Sequence, residues 1–489
     1  MTSAKQLVPA FLHPAWTLSL PLLTLTAVLA SPAQNRLFTA LLAAAVIVLM
    51  QWLIPKCRFR TDHYFSPLNL ALGLLLVKLI IAPVMVMIVG AGNDLFVAVP
   101  SRESMEGAVI IDLFAYVAFC LGLFFASDRL TDQRPPSMIA ALFETPGPVT
   151  AIVFAAAGLL GFILVFGSPG RIVAYFLDPA TSADMKDELE GSWSGFLGTI
   201  LRPFLAFALV AWWARCVDRT APSKGIRGQL LAGVVAAIGI TLANLTFSFN
   251  RAAFVFPVLS LVAVYSARVR RIPPLVTAIA LGLLLPVLFL LAHFRASRLP
   301  GAVADDSKTT QASMGEANDT VQGYAGGPPL AGLFLQELKW GEHLFGGSTL
   351  VASAFSPVPI LGKSFRDSSG SALYNNTLYG MPGWEDQIIP FSSELFVNLH
   401  VFGVVSGFFM LGLALSKAQL FFAAAQSAFG AFAMQYIATW GATLSVWSLS
   451  VFCQIAIYFL WPIYLYWAAV QSRNWLRGMR VQRAGVSHF

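Results

Sequence analysis

The chain has 489 residues, of which 57% are hydrophobic and only 11% are charged, and its formal net charge is +7. Because an average soluble protein is about 25% charged, this composition excludes an ordinary soluble domain and indicates a membrane protein. The four cysteines fall in predicted cytoplasmic loops or inside apolar runs, so no disulfide is expected. No closely spaced Cys and His residues indicate a metal site.

Apolar runs long enough to cross about 30 Å of hydrocarbon as a helix recur along the chain. They predict an all-α polytopic membrane protein with twelve transmembrane helices, at 14–31, 36–54, 67–91, 108–127, 149–167, 195–213, 229–249, 252–267, 274–293, 395–416, 418–437 and 441–469. The first run ends in "AVLASPA", which is also typical of a cleavable signal peptide, but the second run follows at once and favours a signal anchor. The chain then divides into helices 1–9 (1–293), a large loop (294–394), and helices 10–12 with a tail (395–489).

Lysine and arginine concentrate in alternate short connections of this layout and in the C-terminal tail. Basic residues at 56–60, 129–134, 215–227 and 268–271, together with Lys417 and the basic residues from Arg473 onward, predict that these segments and both termini are cytoplasmic. The loop 294–394 then lies on the outer face. The net positive charge follows from this topology and gives no reason to expect a nucleic-acid partner.

The outer loop is unusually long and changes character along its length. Its first part, "DDSKTTQASMGEANDTVQGYAGGPP", is polar and is expected to be mobile or to drape over the surface. "LAGLFLQELKWGEHLFGGSTLVASAF" predicts short interfacial helices, and the segment 357–394 is typical of irregular binding loops. Tyr374, Tyr379 and Trp384 in that segment are candidates for stacking on sugars, with an interfacial aromatic belt as the alternative.

Several arginines are predicted at the outer ends of the helices. Arg251, in "LTFSFNRAAF", lies at the hairpin between helices 7 and 8, and Arg295 and Arg298, in "AHFRASRLP", follow helix 9. Arginine grips phosphate oxygens bidentately, so these three side chains are candidates for a pyrophosphate clamp. The alternatives are a snorkelling side chain for Arg251 and lipid-headgroup contact for all three.

Three ionisable side chains fall inside predicted helices: Lys78, Asp112 and Arg202. Such groups are usually buried toward the bundle interior and paired. Asp112 and Arg202 lie near the outer ends of their helices, so we expect them to meet, in a structural ion pair rather than a proton path. Arg202 also joins the candidate pyrophosphate-binding arginines.

The run "HLFGGSTLVASAFSPVPILGKSFRD" followed by "IIPFSSELFVNLHVFGVVSGFFMLGLAL" resembles the bacterial O-antigen polymerase (Wzy-type) family, the oligosaccharide repeat unit polymerases. The residues that carry the resemblance are Pro390, Ser392, Ser393, Glu394, Phe396, Asn398, Phe402 and Gly403. Arg251 in "FNRAAF" is similar to the family's arginine at a short hairpin. His400 departs from the pattern, because many members carry a small or apolar residue there.

The resemblance implies a GT-C-like, metal-independent glycosyltransferase without a cofactor, at the periplasmic face of the bacterial inner membrane. It would transfer a growing glycan from undecaprenyl pyrophosphate to the next lipid-linked repeat unit. Implied partners are that lipid-linked oligosaccharide, membrane lipids and a chain-length regulator. The arginines would stabilise the leaving pyrophosphate, and Glu394 would be the base, with His343 or His400 as alternatives.

Other interpretations stay open at this point. Glu394 is also explained as a helix N-terminal acid favoured by the helix dipole. An O-antigen ligase would use a similar clamp, and a lipid-linked glycan transporter or flippase is the alternative from another class. The absence of a recognisable internal repeat and the gathering of the candidate groups at one face disfavour a transporter.

Overall fold

The computed structural model describes residues 67–90, 97–130, 144–177, 192–219, 226–246, 251–273, 276, 314–342, 344–358, 362–380 and 387–486. The predicted spans 14–31 and 36–54, and nearly all of 274–293, lie outside these residues. Within them the chain is helical and forms no β-strand.

The first half of the described chain contains nine α-helices and one π-helical turn. In chain order they are α1 (Pro67–Leu76), a π-helical turn (Val77–Ile81), α2 (Ala82–Val89), α3 (Arg102–Leu130), α4 (Pro148–Phe166), α5 (Pro169–Leu177), α6 (Trp193–Leu201), α7 (Pro203–Arg219), α8 (Ile226–Leu245) and α9 (Arg251–Arg268).

Shorter helices then precede a final group of long ones. They are α10 (Met314–Ala325), α11 (Pro328–Glu337), a 3₁₀ turn (Lys339–Gly341), α12 (Ser348–Phe355), α13 (Gly362–Arg366), α14 (Gly370–Tyr379), α15 (Phe391–Ala424), α16 (Ala428–Thr443), α17 (Leu449–Tyr458) and α18 (Trp461–Val486).

The described residues contain six helical segments that are long and apolar enough to cross a membrane, or seven if α17 and the start of α18, bent by 58° at their junction, form one span. The six are Pro67–Val89, Arg102–Leu123, Pro148–Phe166, Trp193–Arg219, Arg227–Leu245 and Phe391–Ala424. This confirms a helical protein suited to a membrane. The count of twelve spans stays a prediction.

Contacts between helix ends define two ends of the bundle. The guanidinium of Arg268, at the end of α9, donates to the carbonyls of Ala425 and Gln426, which follow α15. Asp218, near the end of α7, accepts from the backbone N–H of Ala428 at 3.0 Å. The ends of α7, α9 and α15 therefore lie together, and we name this the basic end. The starts of the same helices lie at the opposite end, which we name the loop end.

Helix α11 packs against the start of α3 at the loop end. Gln336 Oε1 accepts from the N–H of Ser101 at 2.9 Å and from Ser104 Oγ at 2.8 Å. A Cβ on Gly332 would lie 2.9 Å from the backbone nitrogen of Met105, so the two helix backbones nearly touch. Part of the predicted interfacial region is therefore helical, as expected, but α11 is buried along most of its length.

Helix α10 lies in the polar stretch that was expected to be mobile or draped over the surface. Its Asn318 and Gln322, one turn apart, donate to the carbonyls of Gly90 and Ala82 at 3.2 and 2.8 Å. Gly90 directly follows α2, and Ala82 is the first residue of α2. The polar side chains thus dock a helix onto backbone acceptors, and the expectation from composition is wrong for Met314–Ala325.

The boundary between the tenth and eleventh predicted spans also differs. The sequence places a hairpin at Lys417, whereas α15 continues through this residue to Ala424. The residues after Lys417 are helix formers, and the turn occurs only where Ser427 can cap α16 by accepting from the N–H of Gly430 at 2.9 Å. Lys417 is an exposed residue within α15 instead of a loop residue.

Candidate functional site

Ser392, at the start of α15, lies in a buried three-residue network. Its hydroxyl accepts from Lys78 Nζ at 2.8 Å and donates to Asp112 Oδ1 at 2.5 Å, and Lys78 Nζ lies 2.9 Å from the same oxygen. Lys78 belongs to the π-helical turn between α1 and α2. The prediction of a buried ion pair is confirmed for Lys78 and Asp112, but the partner proposed for Asp112 was wrong, because Lys78 occupies the place expected for Arg202.

Glu394 is fully buried two residues later, at 0% exposure. Its Oε1 accepts from Ser353 Oγ at 2.5 Å, and its Oε2 accepts from the backbone N–H of Leu449 at 3.1 Å. A Cβ on Gly370 would lie 2.4 Å from Oε1, so the start of α14 presses on the carboxylate as well. The carboxylate, in the first turn of α15, thus links the starts of α14, α15 and α17. It gives no access for a sugar hydroxyl and so favours the helix N-terminal interpretation over a base.

Asn398 extends the same set of contacts by one helical turn. Its amide donates to Thr349 Oγ1 at 2.6 Å and to the carbonyl of Glu394 at 2.7 Å, and its Oδ1 accepts from the N–H of Gly347 at 3.1 Å. All the hydrogen-bonding positions of this amide that face the core are thus engaged. The residue fixes the start of α12 to α15.

Directly after Asn398 the helix α15 is broken. Leu399 has φ −136° and ψ 15°, and His400 has φ 55° and ψ −154°. The carbonyls of Val397 and Asn398 lie directly before the break. They accept from the backbone N–H groups of Phe345 and Gly346, at 3.1 and 3.2 Å. The chain before α12 therefore completes the hydrogen bonding of the break.

Gly403 is required on the other side of the break. A Cβ at this position would lie 2.7 Å from the carbonyl oxygen of Leu395 and 2.7 Å from Leu399 Cβ. Because the backbone of Leu395 lies so close, position 403 accommodates only glycine. The resemblance motif thus has a structural account: Asn398 holds the break, and Gly403 gives it room.

His400 is exposed at the break and its ring packs on Phe396, with ring centroids 4.5 Å apart and an interplanar angle of 35°. Two further residues with positive φ, Lys339 at 48° and Trp340 at 55°, form the adjacent 3₁₀ turn. His400 Cδ2 lies 3.7 Å from the place that a Cβ of Gly341 would occupy, so the turn and the break are in contact. A positive φ at a residue other than glycine costs of order 1–3 kcal/mol in conformational free energy, and such residues are concentrated at functional sites.

Trp340 is fixed on the other side by α3. A Cβ on Gly107 would overlap the indole ring, at 2.1 Å from its Cη2 atom, so only glycine admits the ring there. The indole is half-buried, and Lys339 beside it is exposed. Sequence reasoning missed Trp340. The available signal was the Lys-Trp-Gly sequence that follows the apolar periodicity of α11.

Among the candidate arginines, Arg202 is buried where α6 and α7 meet at Pro203. Its guanidinium donates to the carbonyl of Thr246 at 2.9 Å and to Thr199 Oγ1 at 3.3 Å. Thr246 follows α8, and Arg251 is the first residue of α9. The structure therefore holds Arg202 against the α8–α9 hairpin that carries Arg251, at the loop end. Arg295 and Arg298 lie outside the described residues.

The predicted sugar-stacking residues have a different setting. Tyr374 is fully buried in α14, with its ring edge-on to Phe334 at a centroid distance of 5.0 Å, and burial raises the pKa of its hydroxyl well above the usual range. Tyr379 is also buried, and its hydroxyl accepts from Gln387 Nε2 at 3.3 Å. Both rings therefore pack in the protein core. They form neither a surface on which a sugar could stack nor part of an interfacial aromatic belt. Trp384 and His343 lie outside the described residues.

No group of three or more His, Cys, Asp or Glu side chains is arranged for a metal ion in the part of the chain that the structure describes. Comparisons with protein-family models, curated proteins and solved structures find no match to this chain.

Proposed function

We propose that this protein is a polysaccharide polymerase that transfers a growing glycan from undecaprenyl pyrophosphate to the next lipid-linked repeat unit at the periplasmic face of the bacterial inner membrane. One observation carries the proposal. The residues behind the resemblance to O-antigen polymerases, from Ser392 to Gly403, together build a strained helix break. This break lies at the same end of the bundle as Arg202 and Arg251.

The chemistry of the transfer matches these groups. An acceptor hydroxyl must lose a proton, and the departing pyrophosphate needs positive charge near it. Arg202 and Arg251 supply positive charge at the α8–α9 hairpin, and an exposed imidazole stands at the break. A lipid-linked substrate would keep its isoprenoid chain in the membrane while its pyrophosphate and sugars reach this end.

Deletion of the gene tests the class of function. A polymerase predicts surface glycans that carry a single repeat unit, restored to a ladder of lengths by the wild-type gene. Polymer that accumulates without attachment to lipid A core would contradict the polymerase and indicate a ligase. Loss of all surface repeat units would indicate a transporter.

A reconstituted assay tests the role of the arginine. Purified protein in lipid vesicles, supplied with lipid-linked repeat units, should form a ladder of products on a gel, also in the presence of a chelator. Arg251→Lys should lose most activity, because an ammonium lacks the planar fork that binds phosphate oxygens, and Arg251→Ala should lose more. Arg473→Ala is the matched control, since Arg473 lies at the basic end, 3.7 Å from Glu144 in an exposed pair. Normal products from Arg251→Ala at equal protein level would leave Arg251 as a snorkelling residue.

A further inference from the structure

We propose that the contact between the α15 break and the Lys339–Gly341 turn is the acceptor-sugar site, and that His400 accepts the proton of the attacking sugar hydroxyl. This inference rests on the proposed polymerase function. It adds the location of the acceptor and the identity of the base, which the sequence left open among Glu394, His343 and His400.

Strained backbone is concentrated where the turn meets the break. A residue other than glycine rarely adopts positive φ, and within the described residues the non-glycine examples are Lys339, Trp340 and His400. Lys339 and Trp340 are distant from His400 in sequence, but the two segments meet at Gly341. A Cβ placed on Gly341 would lie 3.7 Å from His400 Cδ2. Unfavourable backbone in two separate segments that converge on one place is typical of a binding or catalytic site.

The backbone of the break does not need a histidine. The break is held by the N–H groups of Phe345 and Gly346, which donate to the carbonyls of Val397 and Asn398, and by the amide of Asn398. None of these contacts uses the imidazole of His400. A glycine would adopt φ 55° and ψ −154° at lower steric cost. The side chain therefore needs an explanation outside the fold of the break.

The imidazole of His400 is accessible and is supported by a neighbouring ring. Its ring is exposed, yet Phe396 supports one side of it at a centroid distance of 4.5 Å. The half-buried indole of Trp340, in the adjacent Lys339–Gly341 turn, is fixed on α3 by the fit to Gly107. Fixed aromatic rings beside a polar group suit a sugar, which has apolar C–H faces and hydroxyl edges. Glu394, fully buried six residues earlier, offers no such access.

The proposed transfer is a displacement at the anomeric carbon of the donor glycan. The acceptor hydroxyl gives its proton to a neutral ring nitrogen of His400 while its oxygen forms a bond to the anomeric carbon of the donor glycan. The bond between that carbon and the pyrophosphate oxygen breaks, and undecaprenyl pyrophosphate leaves with the bonding electrons. The exposed imidazolium then returns its proton to water.

The test uses chemical rescue of His400→Gly in the reconstituted polymerase assay with lipid-linked repeat units. Glycine suits the local backbone, so the variant should unfold at the wild-type temperature or higher. Its rate should fall by about 100-fold or more, the range expected for loss of a general base. Added imidazole should restore part of the rate, whereas His400→Asn, which keeps a polar side chain but lacks a basic nitrogen and leaves less space, should stay inactive.

Glu394→Ala is the matched control, because its activity should fall through damage to the fold and should not respond to imidazole. A wild-type rate for His400→Gly would overturn the assignment of the base, as would a loss that imidazole leaves unchanged in a folded variant. The proposed function fails in a separate way: the wild-type protein itself would then form no ladder from lipid-linked repeat units.

Discussion

At the residue scale, one segment of seven residues organises the loop end. Ser392 reaches the Lys78–Asp112 pair, Glu394 reaches Ser353 and Leu449, and Asn398 reaches Thr349. Each contact joins α15 to a different element or to the start of one. Buried polar groups are costly unless they are bonded, so this fully bonded set fixes a single arrangement around the break.

The role of Glu394 can be separated from catalysis by two substitutions. Glu394→Gln keeps the shape of the side chain. Its amide oxygen can accept from the N–H of Leu449, and its amide NH2 can donate to Ser353 Oγ. We expect this variant to remain folded and active. Glu394→Ala leaves two buried groups without a partner and opens a cavity, which should cost about 3 kcal/mol or more.

Thermal unfolding in detergent and the polymerase assay measure both effects. Ser406→Ala is a control, because this half-buried hydroxyl donates to carbonyls of its own helix, those of Phe402 and Gly403. Abolished transfer by a Glu394→Gln protein of normal stability would restore Glu394 as the base and contradict the structural role.

At the element scale, the packing of α3 on α15 depends on two glycines. A Cβ on Gly122 would lie 2.1 Å from the carbonyl oxygen of Phe409, and a Cβ on Gly412 would lie 2.2 Å from that of Phe119. Both obstacles are backbone atoms, which cannot rotate away. Small residues at such crossings let helices approach closely, as is common in membrane proteins.

Gly412→Ala should therefore push the two helices apart. We expect a loss of about 1–3 kcal/mol of stability, the usual cost of overpacking, visible as a lower unfolding temperature in detergent. Gly228→Ala in α8 is the matched control, since its new methyl group would meet nothing within 4 Å. Equal stability of the two variants would show that the crossing is looser than described.

The Lys78–Asp112 pair gives a second prediction at this scale. Removal of one partner, as in Lys78→Met or Asp112→Leu, leaves a buried charge uncompensated and should cost about 3–5 kcal/mol. The double variant removes both charges and should recover much of that loss. Unfolding temperatures of the two single variants and the double variant form a double-mutant cycle, and simple additivity of the losses would argue against a direct pair.

At the scale of the whole molecule, the two ends of the bundle differ in character. Arg268, Arg270, Arg271 and Arg473 belong to the basic end or follow helices that end there, whereas α10–α14 cover the loop end. Charge asymmetry of this kind orients a membrane protein with its basic side in the cytoplasm. It predicts that the loop end is periplasmic.

Single cysteines test this orientation in a background that lacks Cys57, Cys120, Cys216 and Cys453. Ser368→Cys, exposed between α13 and α14, should react with a membrane-impermeant thiol reagent in spheroplasts. Ser472→Cys, exposed in α18, should react only after lysis. The reverse pattern would invert the topology and place the proposed site in the cytoplasm.

The sequence alone determined the helical membrane character, the approximate position of each described apolar helix, and the burial of Lys78, Asp112 and Arg202. These features depend on composition and on periodicity within one segment, which are local properties. The segment from Ser392 to Gly403 was also recognised, through a resemblance, and the burial of Glu394 favours its alternative interpretation as a helix N-terminal acid.

The tertiary structure decided which groups meet. Asp112 pairs with Lys78 across 34 residues, Glu394 is sealed by Ser353 and by Leu449, and the Lys339–Gly341 turn touches the break at His400. Such contacts depend on how separate helices cross and on backbone angles such as the positive φ of His400. No local pattern encodes them, because the free energy that stabilises each one comes from partners distant in the chain.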